Sequence, residues 1–427
     1  MKVKTERVAT VVLLLVSILI LVGFVPFRLS FLENRVADTI KRAGADSIQI
    51  EEVTVKLWQG VRISGLKTVK NLDKEKRYTF SAYKIDVSCN LIPAAFSMLV
   101  HDAESFKGDL FRKAYENPSD MFMQLAEAFS SVGAFRSVSV NGGSLNFQEK
   151  SRKGVSANGF ILKLQKNRSG KSFKGRINVS EFSIPSLAEV EKFSARLTIK
   201  ENRLLVRDGK GDLFSGKLRC ETGIDLLSSE LLPSKLMVDG LALEQFCSQS
   251  GFSLGELRGK VNLETSIEPG KVHLDSLKGK GSLRVSKANA IDLPLQKSIT
   301  VNLVSPKLTN LHFKTVNSDF LIANGCVNFR NLDGIGNIMD FKAHGWIRHD
   351  GRMNMRMEGF FSSEFSEELK NLVKFSLEKT DRGRRKFKCR IRGTFEYPQI
   401  EIDGAIYQRA AGNVLGNMKQ GLKNIFK

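Results

Sequence analysis

The sequence predicts a mainly β protein: an N-terminal transmembrane helix followed by a long antiparallel β-sheet, with a helical insert at about 93–131 and a C-terminal amphipathic helix. Three observations carry this. Val8 to Phe27 is uncharged and apolar for twenty residues, about 30 Å of helix and the thickness of a bilayer core. From Phe135 to about Asp403 apolar and polar residues alternate with period two. Gly, Asn, Asp and Pro recur there every eight to twelve residues, the spacing of an antiparallel meander.

Lys2, Lys4 and Arg7 precede the apolar stretch and Arg28 directly follows it. The positive-inside rule then puts the N-terminus in the cytoplasm and the body outside. Bulky Val25, Pro26 and Phe27 replace a small-residue cleavage site, so the segment reads as a retained anchor. Phe31 to Ala43 reads as a helix with Phe31, Leu32, Val36, Ile40 and Ala43 on one stripe. Short strands follow: SIQIEEVTVKLW (47–58), then VRISGLKTV after Gly60. Pro118 divides the helical insert.

Within the meander some strands state their faces directly. Met353, Met355, Met357 and Phe361 oppose Arg352, Asn354, Arg356 and Glu358. Cys389, Ile391, Phe395 and Tyr397 oppose Lys388, Arg390, Arg392 and Glu396, and Val261, Leu263 and Ile267 oppose Lys260, Asn262 and Glu264. Leu283 with Val285, and Leu311 with Phe313, add to the apolar face. Such alternation means one apolar and one wet face. Near Gly325 the parity slips between Phe320, Ile322 and Val327, Phe329, which reads as a bulge. Two covering helices are expected, around Pro185 to Phe193 and Ser362 to Leu377. A second sheet, a closed barrel and an open groove all satisfy the same alternation.

Composition narrows the function. Lys and Arg number 66 against 45 Asp and Glu, a net charge of +21, which favours anionic partners. Cys89, Cys220, Cys247, Cys326 and Cys389 form no CxxC and stand apart from His at zinc spacing, so they read as small buried residues, and no metal or cofactor is expected. There is no GxSxG, HExxH, Walker A or GxGxxG sequence. His344 and His349, near Asp350, read as turn residues, and His101 beside Asp102 has no evident third partner. An enzyme is therefore not expected. Nucleic acid is not expected either, because the basic residues lack interleaved exposed aromatics.

Basic clusters mark expected membrane contacts. Between Asp381 and Gly393 seven basic residues meet one acid, and Arg384, Arg385 and Lys386 lie at their centre. In the tail, Lys419, Lys423 and Lys427 stand at four-residue spacing opposite Val414, Leu415, Met418, Leu422, Ile425 and Phe426. That pattern reads as an interfacial helix or as one capping the sheet end.

Three stretches resemble the AsmA-like family of bacterial envelope proteins, related to TamB and the bridge-like lipid-transfer proteins. They are AGADSIQIEEVTVKLWQGVRISGLKTV (43–69), LKGKGSLRVSKANAIDLPL (277–295), and AHGWIRHDGRMNMRMEGFF (343–361) with the helix after it and IRGTFEYPQIEI (391–402). The resemblance implies a cytoplasmic N-terminus (1–7), an anchor (8–27) and an AsmA-like N-terminal region with its insert (28–134). A middle meander (135–276), an AsmA-like C-terminal region (277–403) and a basic tail helix (404–427) complete the chain. It further implies a single-pass bacterial inner-membrane protein whose periplasmic body curves its sheet into a hydrophobic groove. Phospholipids are the expected partners, moved or bound in support of outer-membrane lipid homeostasis. On that reading Leu283, Val285, Leu311, Phe313, Met353, Met355, Met357, Ile391 and Phe395 line the groove. Flexible thioethers suit acyl chains of varied shape, although core packing between sheets accounts for any single residue equally well. The alternative is an envelope assembly factor that aids outer-membrane protein insertion by edge-strand pairing, with an outer-membrane or periplasmic partner at the C-terminal end.

Overall fold

The computed structural model describes residues 27–28, 30–42, 45–56, 60–71, 76–89, 135–149, 152–167, 172–184, 188–228, 230–249, 255–271, 275–294, 296, 306–369, 377–380, 382–395 and 397–402. The insert at 93–131, the tail at 404–427 and residues 8–26 of the expected anchor lie outside them. Phe27, the last residue of that anchor, is strand rather than helix and pairs with Val55. Among the described residues no helix is long and apolar enough to cross a membrane.

The chain is mainly β, one large sheet of antiparallel strands, and it divides into two compact units. The first comprises 1–185, 189–211 and 223–229; the second comprises 186–188, 212–222 and 230–427.

The first unit opens with β1 (Phe27–Arg28) and α1 (Ser30–Arg42), then β2 (Ser47–Gln49), β3 (Glu52–Lys56) and β4 (Gly60–Asn71). Helix α1 falls where the stripe predicts it: Val36 and Ile40 are half-buried while Asn34, Asp38 and Lys41 are exposed. The Val53 amide donates to the Glu33 carboxylate across 3.5 Å. Strands β2 and β3 both pair with β4, and β4 with β5 (Lys76–Cys89). From there β6 (Phe135–Glu149), β7 (Arg152–Lys166) and β8 (Ser172–Ile184) add in sequence order. The pair β9 (Ala188–Lys200) and β10 (Arg203–Leu213) turns on Glu201 and Asn202, both with left-handed φ, the signature of a two-residue hairpin. A helix expected around Pro185 to Phe193 is therefore corrected to strand β9.

In the second unit β11 (Gly216–Asp225) pairs with β13 (Ser234–Ala242), and β13 with β14 (Glu256–Ile267). Beyond them β16 (Gly279–Ile291), β17 (Asn310–Ala323), β18 (Cys326–Gly336), β19 (Met339–Arg348) and β20 (Arg352–Phe361) add one by one. Two short strands, β12 (Glu230–Leu231) and β15 (Gly270–Lys271), pair with each other. The order closes with β21 (Glu378–Lys379), β22 (Arg385–Thr394) and β23 (Pro398–Ile402), β22 pairing with both β20 and β23. Helix α2 (Leu243–Gln249) falls in a stretch the alternation assigns to the meander. Helix α3 (Ser363–Glu368) starts where expected, capped by the Ser362 hydroxyl, which accepts from the Phe365 amide at 3.2 Å.

The parity slip at Gly325 is a turn, not a bulge. Asn324 and Gly325 both take left-handed φ, and the flanking residues meet across the hairpin as Phe320 with Phe329 and Ile322 with Val327. Real bulges sit elsewhere and recur. In the first unit Gly65, Gly142, Gly159, Lys192 and Asp208 carry left-handed φ inside β4, β6, β7, β9 and β10. Apolar parity changes at the first four: Ile63 then Leu66, Val140 then Leu145, Leu162 then Ala157, Val190 then Phe193. In the second unit Gly240, Gly259 and Lys287 do the same in β13, β14 and β16. One inserted residue shifts every later side chain to the other face and tightens the local twist.

Candidate functional site

On one face of the first unit, cross-strand pairing aligns apolar side chains into rows perpendicular to the strands. Ile63, Ile85, Val140, Leu162 and Ile177 pair successively from β4 to β8. Val61, Val87, Val138 and Leu164 form a second row on one side of it. Across the bulges, Phe80, Leu145, Ala157 and Phe182 form another. Five strands at about 4.8 Å spacing give a row of about 19 Å. Val140, Leu162, Leu164 and Phe160 are buried, whereas Ile85, Val138, Leu145, Ile177 and Phe182 are only half-buried. Gly143 lies between two rows because a Cβ there would run into the Phe160 ring. Among the described residues this unit has one helix, α1, which packs against β2 and β3. The buried members form one packed cluster with Phe173, Val179, Leu197, Ile199 and Leu226, and the half-buried ones pack against it while keeping part of their surface in solvent.

The second unit also packs its apolar residues into a cluster, and there a helix covers them. Val285, Leu311, Phe313, Met353, Met355, Met357 and Ile391 are each less than 10% exposed. All but Val285 belong to one packed cluster with Phe361, Phe387 and Cys389. That cluster has a lid: Phe365 and Leu369 at α3, Leu377, and Leu308 of the 3-10 turn at Pro306–Thr309. Phe361 centres it, its ring 5.1 Å from Phe365 and 5.1 Å from Phe387. Leu311, Phe313, Met353, Met355, Met357 and Ile391, expected along an open groove, are thus packed core beneath α3 and the segments beside it, whereas Val285 is buried outside that cluster. Leu283 is half-buried. Phe395 is 40% exposed in the turn after β22, which ends at Thr394, so it does not join Ile391 on the inner face.

Cys389 shares this core. Burial alone pushes its thiol up to about 12, since a thiolate would lose its solvation there. Cys389 is expected to resist alkylation at mildly alkaline pH in the folded chain and to react only after denaturant unfolds the second unit. Mass spectrometry of peptides labelled before and after unfolding checks this, and rapid labelling of the folded chain would contradict it. Cys220, Cys247, Cys326 and Cys389 are all free thiols.

The basic cluster is also redistributed. Arg384 turns inward: its guanidinium donates to Asp340 at 2.7 Å and to the carbonyls of Phe361 and Phe360 at 2.9 and 2.5 Å. Arg385 donates to the Leu377 carbonyl at 3.2 Å, and its amide donates to the Ser366 hydroxyl at the same distance. Lys386 pairs with Glu358 at 3.0 Å and lies 5.3 Å from the Phe360 ring centre. These three were expected at a membrane surface; the structure uses them to fasten β22 and the α3 segment to the core. Lys386 and Lys388 beside Glu358 hold its carboxyl below the usual glutamate range. Lys419, Lys423 and Lys427 lie outside the described residues. The basic side chains left facing solvent are the alternating ones of the strands, above all Arg356.

Of the two histidines expected in turns, only His349 is in one, and His344 is corrected to a strand residue. His344 lies within β19, while His349 follows it in the turn, 3.7 Å from Asp275 and 3.3 Å from the Gly325 carbonyl. Asp350 serves the same turn, its carboxyl drawn down to about 2 chiefly by the hydrogen bond from Arg352. Among the described residues no group of three His, Cys, Asp or Glu is placed to hold a metal ion. A hollow of about 420 Å³ opens where β16, β17 and β18 bulge, lined by Lys287, His312, Lys314 and Ile335 among others. Comparison with protein-family models, with curated proteins and with solved structures finds no match for this chain.

Proposed function

We propose that this protein is a non-enzymatic, membrane-anchored carrier that holds phospholipid acyl chains on the apolar face of its first unit. The observation that carries this reading is the set of half-buried rows through Ile85, Val138, Leu145, Ile177 and Phe182. An acyl chain of sixteen carbons loses on the order of 12 kcal/mol on leaving a bilayer for water, at about 0.8 kcal/mol per CH₂. A carrier therefore needs continuous hydrocarbon surface along the chain's length, and rows that cross strand after strand supply it. In this reading the sheet curves into a groove, residues 8–26 anchor the chain in a bacterial inner membrane, and the body works in the periplasm.

Photo-crosslinkers placed singly at Ile85, Leu145 and Met355 of the full chain test the proposal in cells fed labelled phospholipid precursor. Adducts are expected from Ile85 and Leu145 and not from Met355, which is closed in the second core. Absence of adducts from both first-unit positions would sink the carrier. A second reading, assembly of envelope proteins by strand addition, is favoured by β23, which among the described residues pairs with β22 alone. Cross-links from Gln399 or Glu401 to a β-barrel protein, without lipid adducts, would select it.

A further inference from the structure

The outward face of the second unit carries a row of basic side chains with a carboxylate only at its end. His344 pairs with Arg356, and Arg356 with Arg390, in adjacent strands β19, β20 and β22. On the other side of His344, β18 bulges between Phe329 and Leu332, which puts Arg330 and Asn331 opposite it. Only beyond Arg390 does a carboxylate follow, Glu401, and it is engaged by Arg392 at 3.3 Å. Arg390 spends one donor on the Asn354 amide oxygen at 3.1 Å. Arg356 is exposed, and its side chain has no hydrogen bond or ion pair among the described residues. Cross-strand partners stand about 5 Å apart, and like charges so placed destabilise a sheet unless an anion lies between them. The alternating sequence could have put Glu here, as it does at Glu358 two residues along the same strand, where both lysines of β22 are neutralised.

Two further features specify the anion. Arginine forks match the paired oxygens of phosphate, and the row crosses four strands, about 14 Å at about 4.8 Å per step. That is too long for one phosphate and suited to several in a plane. Trp346, half-buried on the same side of β19 two residues from His344, faces Asn354 across the strands; indole rings of this kind settle at headgroup level. We infer that the outward face of β18, β19, β20 and β22 docks on a membrane surface bearing anionic phospholipid headgroups. The inference goes beyond the carrier reading and stands without it, since no residue of the first unit enters.

The chain has two tryptophans, so Trp58→Phe leaves Trp346 as a single reporter. The full chain, reconstituted in nanodiscs of neutral lipid, is titrated with vesicles containing a brominated lipid. The vesicles are phosphatidylcholine alone or phosphatidylcholine mixed with phosphatidylglycerol. Quenching of Trp346 is expected with the anionic vesicles only. Arg356→Gln with Arg390→Gln should weaken it about 10- to 30-fold, since each surface arginine contributes about 1 kcal/mol. Arg356→Gln alone, at an exposed position that the fold does not use, should give part of the loss. Lys174→Gln with Arg176→Gln in β8 removes the same charge elsewhere and should leave quenching unchanged. Equal quenching by neutral vesicles, equal loss in both double variants, or full competition by millimolar inorganic phosphate would each overturn the membrane assignment.

Discussion

Truncating Phe361 to alanine is expected to lower the stability of the second unit by about 3–5 kcal/mol, the largest loss for any single side chain described here. Phe361 is 0% exposed and its ring touches both the lid, through Phe365, and the floor, through Phe387. Its removal takes away the transfer energy of an aromatic ring and leaves a cavity that cannot collapse without pulling α3 off the sheet. Trp346 fluorescence during urea unfolding, in the Trp58→Phe background, measures the shift. Phe361→Leu should cost less than half as much, because a branched aliphatic chain refills part of the space. A midpoint unchanged by Phe361→Ala would mean that the cluster is looser than its burial implies.

Arg384→Met is expected to cost about 2–3 kcal/mol by the same measurement. The substitution strips Asp340 of its cation and leaves the carbonyls of Phe360 and Phe361 without donors. Hydrogen bonds to charged groups contribute about 1.5–3 kcal/mol each at best, and both side chains keep about a third of their solvent contact. Arg384→Lys should restore little, since one ammonium cannot reach a carboxylate and two carbonyls in a fork. Full rescue by lysine would show that charge rather than geometry holds the segment. Because Arg384 is fastened inside the chain, neither variant should alter quenching by anionic vesicles at matched folded fraction.

Much of the sheet is legible in the sequence, and the failures have definite causes. Met353, Met355 and Met357 alternate with Arg352, Asn354 and Arg356, and the faces they predict are the faces found. What covers a face is a different matter. The apolar residues of β7 and β20 obey one rule and both sets are buried, yet one packs among neighbouring strands and the other lies beneath α3. Tertiary cover comes from distant segments such as Leu308 and Phe365, which no local period encodes. Strand β9 looks helical from Val190 to Phe193 because Lys192 is a bulge residue: inserting one residue into a period of two gives a spacing of three. The basic run at 384–386 looks like a surface patch because sequence records donors but not the carbonyls that accept from them. The row through Arg356 and Arg390 was present as alternation, but its like-charge pairing appears only once register is known.

The bulges of the first unit carry a consequence for assembly. A sheet of many similar strands invites each one to slide two residues along its neighbour, a slip that keeps oily side chains on the correct side and so costs little hydrophobic energy. A left-handed residue partway along forbids it: sliding would carry the break at Gly142 past its counterpart at Gly159 and send half of each strand's Val and Leu to the wrong surface. These notches therefore act as alignment keys, and they leave a single way for the strands to be threaded together.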